Sequence, residues 1–134
     1  MTSDRDVPRA LVVDDEEDVR EMVAIALRTE GYSVTAVRDG ATAVRTVRTA
    51  PFDVVTLDFR MPGMGGLETL SELKKTAPRL PVIIVSGYVA SAEVRTCHAL
   101  GAFAVIRKPF ELEDLLAVLH RARAPGMRDR PPAS

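Results

Sequence analysis

Residues 54–66 read VVTLDFRMPGMGG, and the fold turns on them. Val54, Val55, Thr56 and Leu57 are strand formers. The run stops on one carboxylate, Asp58, and a glycine-rich loop containing Pro62 follows at once. An apolar strand without polar alternation is buried on both faces, as in a parallel sheet. The carboxyl ends of such strands are where open α/β sheets place their ligands. Taken alone, Asp58 reads equally as a turn cap, a metal ligand or a nucleophile, and the rest of the chain has to decide.

Working outward, the same unit repeats on both sides. Residues 10–13 (ALVV) form a first strand, and Val19, Met22, Val23 and Ala26 then recur at helical spacing. Gly31 ends that helix. Residues 33–37 are a second strand, Asp39 caps the next helix, and that helix presents Val44 and Val47 and stops before Pro51. Residues 53–57 are the third strand. Gly65 and Gly66 give a tight entry to a helix lined by Leu67, Leu70 and Leu73. Residues 82–85 (VIIV) are the fourth strand, followed by a helix through Val94, Cys97 and Leu100 that Gly101 closes. Residues 103–106 (FAVI) are the fifth strand. The last helix carries an apolar stripe at Leu112, Leu115, Leu116 and Leu119. Five strands alternating with five helices specify a doubly wound α/β fold with a five-stranded parallel sheet.

The 134 residues fit one domain. We expect it to span residues 9–123, with a disordered N-terminal tail at 1–8 and a disordered Pro/Arg-rich tail or linker at 124–134. A net charge of −1 supplies no field for nucleic acid, and 4% aromatic residues without Trp supply no base-stacking platform. Cys97, the single cysteine, excludes an internal disulfide and reads as a small buried residue. No apolar run approaches the roughly twenty residues of a membrane span, and residues 1–10 hold no signal-peptide core. The expectation is a soluble cytoplasmic domain.

What each strand ends on is more telling. The first ends on Asp14-Asp15, with Glu16 and Glu17 behind; the third on Asp58; the fourth on Ser86; the fifth on Arg107-Lys108-Pro109. Singly, Asp14 and Asp15 read as helix caps, Ser86 as a turn residue and Lys108 as a solvated charge. Together, four distant strand ends supply compatible groups to one sheet edge. Clustered carboxylates repel, and a hard divalent cation relieves them. Lysine and a hydroxyl suit phosphoryl oxygens, and an ionised Asp is a nucleophile for forming an aspartyl phosphate.

The set Asp14-Asp15, LDFRMPGMGG, VSG and RKPF resembles the receiver domain of bacterial two-component response regulators, over about residues 9–123. The resemblance implies a flavodoxin-like strand order 2-1-3-4-5 and Asp58 as phosphoacceptor. It implies Mg²⁺ held directly by Asp15, Asp58 and the Arg60 carbonyl, with Asp14 acting mainly through water. Ser86 and Lys108 match the hydroxyl and the lysine of the family, and a cis Lys108-Pro109 peptide is implied too. The chain would then be a phosphorylated switch rather than an enzyme. Its partners would be a sensor histidine kinase or phosphotransfer protein, and a downstream effector or a second copy in a homodimer, with no direct nucleic-acid or membrane contact.

The pattern departs from the family at Val105, where many receivers carry a switch aromatic. Phe103 lies two residues earlier, on the same face by strand alternation. Arg60 and Tyr88, each two residues after a site group, are expected to overhang the rim and shield the phosphoryl group. A dehalogenase-like phosphatase would need a second Asp where Arg60 stands. GMGG lacks the third glycine of a dinucleotide loop, Glu68 standing in its place. A pseudo-receiver acting through protein contacts alone is the alternative that Val105 leaves open.

Overall fold

The computed structural model describes residues 7–87 and 89–122. Strands β1 (Arg9–Val13), β2 (Ser33–Val37), β3 (Val54–Asp58), β4 (Val82–Ser86) and β5 (Ala104–Arg107) alternate with helices α1 (Glu17–Thr29), α2 (Gly40–Thr49), α3 (Gly66–Thr76), α4 (Ser91–Ala99) and α5 (Leu112–Ala122). All neighbouring strands are parallel, in the order β2-β1-β3-β4-β5. The expected doubly wound fold and strand order are therefore present.

Strand alternation divides the core in two. Leu11, Val13, Val55, Leu57, Val82 and Ile84 face a layer that includes Val44 of α2, Leu70 and Leu73 of α3 and Cys97 of α4. Ala10, Val12, Val54, Ile83 and Val85 face Val23 and Leu27 of α1 and Leu115 and Leu119 of α5. Burial on both faces is complete for β3 and β4 and nearly so for β1. It is only partial for the edge strands β2 and β5, which have a covering neighbour on one side alone.

Local chemistry sets the element ends. Asp39 accepts a 2.7 Å bond from the Thr42 N–H, the expected cap of α2. Gly31 and Gly101 take positive φ of 97° and 105° after α1 and α4, a conformation that L side chains resist. The third strand begins one residue later than expected, at Val54. Asp53 lies outside it because it clips β1 instead: its Oδ2 accepts from the Arg9 N–H at 2.8 Å, and its own N–H donates to the Arg9 carbonyl at 2.7 Å.

Two local expectations need correction. Phe103 does not share a face with Val105. It precedes β5, so alternation does not apply to it, and it packs on the α1/α5 side while Val105 packs on the other. Gly65 is not needed for the entry to α3, since a Cβ there would meet nothing. Gly63, with φ of 79°, makes the turn. Gly66 makes the close approach, because a Cβ would lie 2.6 Å from the Phe59 carbonyl oxygen. Of the expected N-terminal tail, residues 1–6 lie outside the described residues, while the Pro8 carbonyl already accepts from the Ser33 N–H at 2.8 Å. The expected C-terminal tail at 124–134 lies wholly outside them.

Candidate functional site

Sheet register assembles the site. Val13 pairs with Leu57, so Asp14 and Asp58 each follow one of two adjacent positions. Asp58 pairs with Val85, one residue before Ser86, and Ser86 pairs with Arg107, one residue before Lys108. Asp14, Asp58, Ser86 and Lys108 therefore stand in sequence across the carboxyl edge of four neighbouring strands. The backbone pins them: Asp14 N–H donates to the Val37 carbonyl at 3.1 Å, Phe59 N–H to that of Val85 at 3.1 Å, and Lys108 N–H to that of Ser86 at 2.8 Å. Asp14, Asp58 and Ser86 are buried.

Lys108 is the hub. Its ammonium lies 3.2 Å from Asp14 Oδ2, 3.4 Å from Glu16 Oε1 and 3.7 Å from Asp58 Oδ1, with its side chain 18% exposed. It is no solvated surface charge. Burial pulls its pKa down, but the charges of Asp58, Asp14 and Glu16 outweigh that and hold it above its ordinary value. Asp14 does not cap α1 in the usual way. Its Oδ1 accepts from the Glu16 N–H at 2.9 Å, shaping the loop ahead of the helix, while Glu16 at the N-cap position makes no side-chain cap.

Asp58 carries the electrostatic signature. Burial first, then the neighbouring Asp14 charge, push its carboxyl up to about 7 against the pull of Lys108 and of the Arg60 N–H. The exposed Asp15 adds to this through a side-chain hydrogen bond with Asp58. Carboxylate oxygens of Asp14, Glu16 and Asp58 all lie within 4.8 Å of one another. An oxygen-rich cluster whose central acid is pushed up by repulsion fits a hard divalent cation, which would relieve it. The sequence gives no signal for Glu16, because it follows the acid pair without a strand position of its own; the loop turned by Asp14 brings it to Lys108.

The remaining residues are placed as follows. Lys108-Pro109 is cis. Val105 is half-buried against the α2–α4 layer. Tyr88 lies outside the described residues. Arg60 N–H points to Asp58 Oδ1 at 3.4 Å. Its guanidinium, however, pairs with Glu93 of α4 at 3.0 Å and lies 5.0 Å from the centroid of the Phe59 ring. The expected overhang of Arg60 is therefore a bridge to α4 in this structure. The sequence carries only one signal for Glu93, its spacing three residues after Ala90, the N-cap of α4.

Fold and site together define a class: an α/β domain with a strand-end Asp flanked by acids, a buried hydroxyl and a lysine. Residues 10–120 match the family model of the response regulator receiver domain. The chain belongs to that family. It is 39% identical over 119 residues to the regulatory protein AtoC of Escherichia coli, covering 87% of this chain and 25% of AtoC. It is 38% identical over 106 residues to the probable transcriptional regulatory protein TcrX of Mycobacterium tuberculosis, covering 79% and 45%. Among solved structures, the chemotaxis protein CheY4 of Vibrio cholerae superposes with a TM-score of 0.82 at 30% identity, over 87% of this chain and 98% of that one. The receiver domain of NtrX from Brucella abortus does so with a TM-score of 0.80 at 35% identity, over 85% and 97%. The chain thus spans a quarter to a half of the length of these curated relatives and nearly all of the receiver structures.

Proposed function

We propose that this domain is the phosphoacceptor of a two-component relay, with Asp58 as the accepting residue. The observation that carries the reading is the meeting of Asp58, Asp14 and Lys108 at one sheet edge, with the Asp58 carboxyl pushed up to about 7. The donor is a phosphohistidine on a sensor kinase or phosphotransfer protein. An Asp58 carboxylate oxygen attacks phosphorus; the new P–O bond forms as the P–N bond breaks, and the departing imidazole keeps the electron pair. Lys108, held cationic by its acidic neighbours and 3.7 Å from Asp58 Oδ1, would hold a phosphoryl oxygen. Ser86, buried at the end of β4, would donate a hydroxyl hydrogen bond to another. Asp14, Asp15, Asp58 and the Arg60 carbonyl would hold Mg²⁺, with Glu16 close enough to join them. When bound, that ion neutralises charge on the acids and on the transferred group.

The domain acts as a switch rather than an enzyme: it assists its own phosphorylation and hydrolysis and turns over no other substrate. New charge at Asp58 recruits donors and shifts the surface offered to an effector or to a second copy. Several relatives are DNA-binding regulators by name; here nucleic-acid contact would belong to an effector and not to this near-neutral domain. Among the described residues no helix is long and apolar enough to cross a membrane, and a cytoplasmic location suits the proposed donor.

Incubation with acetyl phosphate and Mg²⁺, followed by intact mass measurement, tests the reading. We expect one added phosphoryl group, and none with Asp58→Ala or in chelator. A folded wild-type chain that takes up no phosphoryl group would favour a pseudo-receiver and overturn the proposal.

A further inference from the structure

We propose that Glu93 is a positioning residue for the Asp58 site: it competes with the phosphoryl group for the Arg60 guanidinium and so sets the lifetime of the aspartyl phosphate. The inference rests on Asp58 being the phosphoacceptor. Glu93 Oε1 accepts two bonds at once, from the Ala90 N–H at 3.0 Å and from Arg60 Nη2 at 3.0 Å. The first ties it to the start of α4, where Ala90 as N-cap has no side chain to offer. The second ties α4 to the loop that leaves Asp58. One carboxylate therefore joins the helix after Ser86 to the residue whose N–H faces the Asp58 carboxylate.

The pair is built to be divided. The Arg60 side chain is 54% exposed and that of Glu93 30%, so their attraction is weak and screened. Phosphorylation replaces the single Asp58 carboxylate charge with a phosphoryl group carrying nearly two negative charges and three strong acceptor oxygens, within two residues of Arg60. Arginine binds such a group through forked, charge-assisted bonds that a single carboxylate oxygen does not match. Arg60 is then shared between Glu93 and the phosphoryl group. While Arg60 is on the phosphoryl group, Glu93 keeps its bond to the Ala90 N–H and α4 is untethered from the β3–α3 loop. Hydrolysis needs a water oxygen to attack phosphorus while the bond to the Asp58 oxygen breaks, the carboxylate keeping the electron pair and the water proton passing to solvent. A guanidinium seated on the phosphoryl oxygens narrows that approach.

Glu93→Gln preserves the cap, because an amide oxygen still accepts from the Ala90 N–H, and removes the charge that holds the Arg60 guanidinium. After loading with acetyl phosphate, its aspartyl phosphate should survive about threefold to fivefold longer than wild type, the scale of one half-exposed ion pair. Arg60→Ala should shorten the lifetime, and adding Glu93→Gln to it should change nothing further. High salt should shrink the Glu93→Gln effect by screening the pair. A Glu93→Gln lifetime equal to wild type overturns the inference, as does an effect that persists without Arg60 or is indifferent to salt. A wild-type chain that never loads fails at the earlier step and overturns the phosphoacceptor reading itself, so the two failures are distinguishable.

Discussion

At the scale of the residue, Asp58 combines burial with the charge of a neighbour, and the two act in the same direction. Its folded pKa of about 7 lies above the ordinary value of 3.8. A carboxyl raised in this way contributes stability that is full below its unfolded pKa and is lost as pH rises through its folded one. In chelator, the wild-type chain should therefore lose stability between roughly pH 4 and pH 7, by at most about 4 kcal/mol, from about three units at 1.36 kcal/mol each. Asp58→Asn should flatten that decline and be more stable than wild type at pH 8. Urea titrations across this range check both; an unchanged slope in the variant would assign the decline to other groups. The residue types at this site were legible in the sequence, because Asp14, Asp58, Ser86 and Lys108 each end a strand. The contacts of Glu16 and Glu93 were not, because both are made by side chains reaching across from loop or helix positions that carry no strand-end signal.

At the scale of the element, the β3–α3 connection determines where the Arg60 carbonyl and the first turn of α3 lie. Gly66 permits that connection, since a Cβ there would press on the carbonyl and Cα of Phe59 at 2.6 Å and 2.9 Å. Neither atom is the end of a flexible side chain, so the backbone itself must move. Gly66→Ala should cost about 1–3 kcal/mol, the usual range for overpacking, and slow phosphoryl uptake from acetyl phosphate. Gly65→Ala serves as its control: it should cost less, only the N-cap preference for glycine over alanine, and leave uptake unchanged. Equal behaviour of the two variants in thermal melts and loading assays would refute this account of the loop. Element order was readable from the alternation of short Val/Ile runs with helical stripes. Which of two adjacent glycines mattered was not, because that depends on what lies across the loop.

At the scale of the whole molecule, the sheet is a wall between two cores. Leu70 lies fully buried on the α2–α4 side and Leu119 fully buried on the α1/α5 side. Each Leu→Ala change should cost about 2–5 kcal/mol. The double variant should lose the sum to within about 0.5 kcal/mol, as sites without shared partners do. A marked departure from additivity in chemical denaturation would mean that the two layers are energetically coupled through the sheet. The partial burial of β2 and β5 follows from the same architecture, since an edge strand is covered by sheet on one side only.

The sequence by itself determined the class of fold, the order of its elements and the residues at four strand ends. These follow from local patterns: apolar runs, helical periodicity, caps and breakers, all read within a few positions of one another. Tertiary structure decided how those groups meet. Parallel register set Asp14 beside Asp58 and Ser86 one step before Lys108, and burial at that edge pushed the Asp58 carboxyl up to about 7. It also sent Phe103 to the face opposite Val105 and Arg60 to Glu93. Such outcomes depend on distances between residues far apart in the chain and on the water excluded between them, and neither is written in local sequence.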